Sequence, residues 1–169
     1  MTEEQFWKLI EESRRGATTD VDAQGEQLLT VLSKLNDDDL IEYDRRLTEL
    51  QFKAYSWDLW GAAYLINGGC SDDGFDYFVN WLIARGERVY QDALRNPDSL
   101  ASVVKPDDEV EYEELSYLHH EVWEASHDDE FPDNGLRRID SPTGDEWDFD
   151  DDEEMARRYP ELWKKCGQG

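Results

Sequence analysis

The sequence has few cysteines and no long apolar run, and each shortage excludes a class of protein. The two cysteines, Cys70 and Cys166, form neither a disulfide framework nor the spacing of a metal or redox motif. No apolar stretch approaches the length that crosses a membrane, and the first residues do not resemble a secretion signal. We therefore expect a cytoplasmic protein with free thiols.

Basic side chains are also scarce. The chain has 17 lysines and arginines against 42 aspartates and glutamates, a formal net charge of −25. Residues 107–169 alone carry 22 acidic and six basic side chains, a net charge of −16. Such a charge repels nucleic acid and anionic membranes, so we predict neither as a partner, whereas it attracts basic proteins, polyamines or divalent cations. Alternatively, the acid only keeps the chain soluble or reflects a salty cytoplasm.

Large aromatic side chains compensate for an apolar content of only 38 %, with Trp 7, Tyr 8 and Phe 6. Apolar residues recur every three or four positions, which is typical of helices. We predict an all-α fold, a compact multi-helix domain of about six to eight helices with an irregular acidic C-terminal segment. One of these helices is predicted from Glu109 to about Ser126. Its inward residues would be Leu115, Leu118, His119 and Val122.

The helical pattern covers residues 1–127 and is absent from residues 128–150. Four residues interrupt this stretch: Pro132, Gly135, Pro142 and Gly144. Pro160 suits the first position of a final short helix that ends near Cys166. Because the tail is rich in aromatic residues, we expect residues 128–169 to dock on the same domain as residues 1–127. Trp147 and Phe149 are expected to remain exposed there.

The most informative stretch lies between Trp57 and Gly86. It predicts two helices joined at Asn67-Gly68-Gly69, where glycine can adopt the left-handed backbone that ends a helix. Ser71 is placed to cap the second helix, with two aspartates in its first turn. The first helix contains a single charge, Asp58, and is predicted to be the buried centre of the domain.

This stretch resembles a bacterial family catalogued as domain of unknown function 4240. The likeness rests on the run from Trp57 to Phe75 (WDLWGAAYLINGGCSDDGF), followed by Tyr77-Phe78 and Trp81-Leu82-Ile83. It extends to the segments Phe6–Glu11, Asn96–Leu100 and Arg158–Trp163. The resemblance implies a small, mainly helical, intracellular bacterial protein without an assigned activity.

A first candidate site is the corner itself, where polar groups and tryptophans come together. Pockets lined by aromatic rings with a few convergent polar groups are typical of small-molecule sites. The predicted binding residues are Trp57, Asp58, Trp60, Tyr64, Asn67, Ser71, Asp72, Asp73 and Trp81. Helix capping and core packing account for the same residues in the alternative interpretation.

A second candidate is a metal site at His120, Glu124 and His127. Their spacing places all three on one face if the helix extends that far, and two imidazoles with a carboxylate suit zinc. Glu124 occupies the position of the second histidine of the zinc-protease motif, and a solvated polar face is the alternative. The run from Asp148 to Asp152 lacks the central glycine and the closing glutamate of an EF-hand. We predict no cofactor.

Two hypotheses about function follow. The first is a non-enzymatic protein-interaction or regulatory module that binds a basic protein through its acidic surface. The second is a small-molecule or metal-dependent enzyme with its site at the Trp57–Trp81 corner. The residues do not decide whether the chain is an enzyme, and they are compatible with a monomer or a homodimer.

Overall fold

The computed structural model describes residues 1–17 and 19–167, and it is all-α. The helices are α1 (Glu3–Arg14), α2 (Val21–Leu32), α3 (Asp37–Lys53), α4 (Trp57–Asn67), α5 (Asp72–Ala84), α6 (Glu87–Arg95), α7 (Leu118–Glu124), α8 (Asp152–Arg158) and α9 (Pro160–Cys166). Two 3-10 helices, Pro97–Ser102 and Glu113–Ser116, lie between α6 and α7. In the described residues the only β-type pairing is one isolated bridge, between Ser56 and Thr143. None of the described helices has both the length and the apolar character needed to cross a membrane.

Polar caps set where the helices begin. Thr2 and Gln5 form a capping box at the start of α1. Asp20, Asn36, Ser56 and Ser71 each accept a backbone N–H bond from the first turn of the helix that follows. The predicted left-handed residue at the end of α4 is Gly68, with φ 67°. The sequence therefore specified most helix starts locally.

The core lies where α1, α3 and α5 meet. Phe6 of α1 stacks on Tyr43 of α3 at 5.2 Å between ring centroids, and Trp7 packs against Tyr90 of α6 at 5.4 Å. One apolar stripe of α3 is buried, and so is one of α5. These residues are Leu40, Tyr43, Leu47, Leu50, Ala54, Phe75, Phe78, Val79, Leu82 and Ile83.

A ladder of five stacked rings joins α4 to α5. Consecutive centroids lie 5.5, 5.0, 6.2 and 6.0 Å apart. Its members, from the surface inward, are Trp57, Trp60, Phe75, Phe78 and Trp81. The last ring is within 5.9 Å of the guanidinium of Arg85. We call this row the ring ladder.

The helix predicted from Glu109 to Ser126 is wrong in its first half. Residues 109–112 are not helical, and α7 begins only at Leu118. The reason is a tertiary contact: Asn67 on α4 exchanges two hydrogen bonds with the backbone of Val110, and the Tyr112 amide bonds to the Tyr77 carbonyl. These contacts hold residues 109–112 in an irregular conformation in place of the expected first turns. Within α7, Trp123 is buried, whereas Val122 is only partly buried.

The C-terminal segment docks on α4. Rings from the segment meet at Gly61, where an added Cβ would lie 2.5 Å from the Tyr159 hydroxyl and 2.7 Å from Trp147 Cζ2. Trp147 and Phe149 are therefore partly covered, and the expectation that they stand exposed is wrong. Thr143 adds two backbone hydrogen bonds, to Tyr55 and to Trp57.

The last helix, α9, is fastened to the 3-10 helix Pro97–Ser102. The Asp98 carboxylate accepts from the amides of Glu161 and Leu162, and so caps α9. At the other end, Lys165 Nζ donates to the carbonyls of Ala101 and Val104. Both ends of α9 are thus held by one neighbour.

Candidate functional site

Most of the predicted corner residues have structural partners. Trp57, Trp60 and Trp81 belong to the ring ladder, and the Trp60 indole N–H donates to the Cys70 carbonyl at 3.0 Å. Ser71 caps α5 by accepting from the Gly74 amide at 3.1 Å. Asp72 and Asp73 are exposed in the first turn of α5. In these positions the residues stabilise helix ends and ring packing.

Asp58 is exposed, not buried between its two tryptophans. Its side chain is 62 % exposed, and Oδ1 lies 3.1 Å from Nη1 of Arg158 on α8. The Asp58 carbonyl accepts the Tyr159 hydroxyl at 2.5 Å. Asp58 therefore helps to hold the C-terminal segment on α4.

Tyr64 is a predicted residue that lines an open cleft. This first cleft, of about 330 Å³, lies between α4 and the C-terminal helices. Its walls combine apolar or aromatic residues with carboxylates and include Tyr64, Phe149, Asp150, Asp152, Met155 and Trp163. The Tyr64 hydroxyl donates to Asp150 Oδ1 at 2.6 Å, a bond that raises the pKa of the phenol and orients the carboxylate.

A second cleft, of about 410 Å³, adjoins the first. The two share Leu65, Gly68 and Cys166. The second cleft is lined by Asn67, by the turn Pro106–Glu109 and by Lys165. Asp107 in this turn has φ 66°, a left-handed backbone that aspartate tolerates better than most residues. The Asp108 carboxylate accepts the Lys105 amide at 2.8 Å and closes the turn.

We call the two clefts together the acidic groove. Five carboxylates line it, from Asp107, Asp108, Glu109, Asp150 and Asp152, against one lysine. That lysine, Lys165, already donates to two carbonyls. The negative charge of the walls thus far exceeds the positive, which suits a cationic ligand.

The two thiols are poor nucleophiles in this setting. Burial raises the pKa of the Cys70 thiol to about 12, and burial also raises that of Cys166 at the groove. The thiolate, which is the reactive form, is therefore disfavoured at both positions. The groove has the character of a binding surface and lacks an activated cysteine.

Within the part of the chain that the structure describes, the residues of the predicted metal site do not converge as a group of three ligands. His127 lies beyond the end of α7, stacks on Trp123 at 3.8 Å and places Nε2 3.1 Å from Asp37. Glu124 is exposed at the last position of α7. In the described part of the chain, the group whose ligand atoms converge within 4.8 Å is Asp44, His119 and His120. Only His120 is common to both sets.

Comparison of the sequence with models of known protein families identifies the family of this chain. A family model described as a protein of unknown function (DUF4240) matches residues 1–125. The chain belongs to this family. Among curated proteins and among solved structures, no significant match is found. The DUF4240 match covers α1 to α7, so it includes the α4 wall of the acidic groove but not the wall formed by α8 and α9.

Several groove residues were not predicted as site residues. Asp107 and Asp108 precede the predicted start of a helix at Glu109, and Trp163 belongs to the aromatic tail that is expected to dock. The acidic run from Asp148 to Asp152 was a usable signal, because it adjoins two aromatic residues. Its position opposite Tyr64 depends on how the tail folds back, which local sequence does not encode.

Proposed function

We propose that this DUF4240 protein is a non-enzymatic interaction module of the bacterial cytoplasm that binds a basic protein partner in the acidic groove. The observation that carries the proposal is the set of five carboxylates around two connected clefts. The net charge of −25 adds long-range attraction for a cationic partner.

The first cleft supports recognition of individual cationic side chains. Tyr64, Phe149 and Trp163 present aromatic rings beside the carboxylates of Asp150 and Asp152. A lysine or arginine side chain placed there would pair with carboxylate and stack on rings, and cation–π contacts contribute about 0.5–2 kcal/mol each. The methylene groups of that lysine or arginine would cover apolar surface in the wall of the first cleft.

The second cleft offers carboxylates to a second basic side chain of the same peptide. Its carboxylates lie in the Pro106–Glu109 turn, across Gly68 and Cys166 from the first cleft. A segment with two or more basic residues could occupy both clefts at once. Such spacing would select basic segments over isolated cations, because the second contact becomes intramolecular.

The test is binding of a fluorescently labelled lysine- and arginine-rich peptide, followed by anisotropy at about 0.05 M and about 0.5 M salt. The double variant Asp150→Asn/Asp152→Asn should bind more weakly at low salt. The matched control is Glu12→Gln/Glu87→Gln, which removes the same charge from acids around a separate depression at α1 and α6. It should bind as the wild type does.

Two results would contradict the proposal. If both double variants lose affinity equally, binding reflects net charge and not the groove. If the wild type binds no basic peptide even at low salt and retains no partner in a pull-down, the interaction role loses its support.

A further inference from the structure

A buried carboxylate–histidine pair joins α3 to α7, away from the acidic groove. Asp44 Oδ1 and His119 Nε2 are 2.8 Å apart, and the two residues are only 9 % and 1 % exposed. His120, which is half-buried, brings a second imidazole to within 4.5 Å between ring centroids. One ligand atom from each of the three residues lies within 4.8 Å of the others.

The surroundings hold this cluster in place. Asn134 donates to Asp44 Oδ2 at 2.7 Å and to the Thr48 hydroxyl at 2.9 Å. The Phe131 ring lies 5.0 Å from the His119 ring and stacks on His120 at 4.9 Å. Carboxylates and imidazoles that bind metals are typically oriented by an outer layer of this kind.

One atom of the cluster lacks a partner. His119 Nδ1 is buried, and among the described residues it has no hydrogen-bond partner. A buried imidazole nitrogen normally bonds to protein or to ordered water, since burial without a partner is unfavourable. An ion held between Asp44 Oδ1 and His119 Nε2 would not change this, because Nδ1 is the other nitrogen of the ring.

We propose that Asp44, His119 and His120 form a binding site for a divalent transition metal ion, with Zn²⁺ as the best match. Two imidazoles and one carboxylate are ligands that zinc prefers, and three protein ligands leave a fourth position for water. Ligand atoms around tetrahedral zinc lie about 3.3 Å apart, given bonds of about 2.0–2.1 Å. The Asp44–His119 pair has to open slightly, and the half-buried His120 has to move inward.

His120 is the one ligand that this site shares with the sequence-predicted one. The site differs from the sequence-predicted one, because Asp44 and His119 replace Glu124 and His127.

The test uses the full chain without a polyhistidine tag, stripped with a chelator and titrated with Co²⁺, whose visible absorption reports coordination. We expect one equivalent to bind, to be displaced by Zn²⁺ and to raise the melting temperature. His120→Gln should weaken Co²⁺ binding at least tenfold. His127→Gln, which removes the imidazole outside the site, should bind as the wild type does.

A fold control makes the comparison decisive. His120 is half-buried, so the near-UV circular dichroism of His120→Gln without metal should match that of the wild type. If Co²⁺ produces no visible band with the wild type, or if the folded His120→Gln variant binds it equally well, the proposal is wrong. An equal loss in His127→Gln would also overturn it.

Discussion

Substitution of Gly61 by alanine tests how tightly the C-terminal segment is seated on α4. The added Cβ would lie 2.5 Å from the Tyr159 hydroxyl, 2.7 Å from Trp147 Cζ2 and 3.3 Å from Phe149 Cε1. Two of the three side chains are held by further contacts. The Tyr159 hydroxyl donates to the Asp58 carbonyl, and Trp147 lies under the Arg158 guanidinium at 4.7 Å.

The magnitude follows from two opposing effects. Alanine is favoured over glycine inside a helix by about 1 kcal/mol. Overpacking of a filled site costs about 1–3 kcal/mol. Gly61→Ala should therefore lower the free energy of unfolding by roughly 0–2 kcal/mol. The control is Gly74→Ala, where the nearest atom to the new Cβ is the Ser71 hydroxyl at 3.3 Å.

The assay is urea unfolding followed by far-UV circular dichroism, with the summed fluorescence of the tryptophans, Trp147 among them, as a second signal. Because the overpacking term applies only to Gly61, the control should be more stable than Gly61→Ala by about 1–3 kcal/mol. For a chain of this size, 1 kcal/mol shifts the melting temperature by about 2–4 °C. If the two variants are equally stable and their fluorescence is unchanged, the rings do not pack on Gly61 as described.

Three further outcomes are expected. A hydrogen bond from Arg157 lowers the pKa of Glu154 from the ordinary 4.5 to about 2. The ionised Glu154 carboxylate therefore stabilises α8 above pH 4.5, and this stabilisation is lost as the pH falls toward 2. The difference in melting temperature between wild type and Glu154→Gln should shrink over that window, and a widening difference would contradict this. Asn67→Ala removes both hydrogen bonds to the Val110 backbone and should lower the free energy of unfolding by about 1–3 kcal/mol. The Val110 amide should then exchange its hydrogen faster, and an unchanged exchange rate would rule out the contact. Burial raises the pKa of the Cys70 thiol to about 12. In a Cys166→Ser variant at neutral pH, Cys70 should therefore be alkylated far more slowly in the folded protein than in urea. Equal rates would refute the burial of Cys70.

The helices from α1 to α6 were predictable because their signals are local. A cap such as Ser56 or Asn36 and an apolar residue every third or fourth position act within one or two turns. The corner was predictable for the same reason, since Gly68 only has to adopt a left-handed backbone. No distant contact is needed to specify these features.

The regions that could not be predicted depend on long-range pairing. Residues 109–112 have a helical pattern, yet Asn67, 43 residues away from Val110, holds them in a non-helical conformation. Asp98 caps a helix that begins more than 60 residues later. Local pattern carries no information about such partners, so the groove wall from α8 and α9 was out of reach.

In the candidate metal cluster, too, local features were predictable and long-range partners were not. His119 was correctly predicted to face inward from its position in the apolar pattern. Its partner Asp44 is 75 residues away, on the margin of the stripe that buries Tyr43 and Leu47. Sequence spacing could only group His120 with residues on its own helix, which is why it selected Glu124 and His127.

The ring ladder has a consequence for how selective the groove can be. Its outer ring, Trp57, packs edge-to-face against Phe149 with 6.1 Å between the ring centroids. Phe149 forms part of the first cleft. A stacked indole has few rotamers left to lose, in contrast to the flexible methionine side chains of promiscuous binding surfaces. A ligand would therefore immobilise little of this wall, at a small loss of conformational entropy. The stiffness of the Trp57 and Phe149 rings would penalise ligands of the wrong shape, because these rings have little freedom to repack around them.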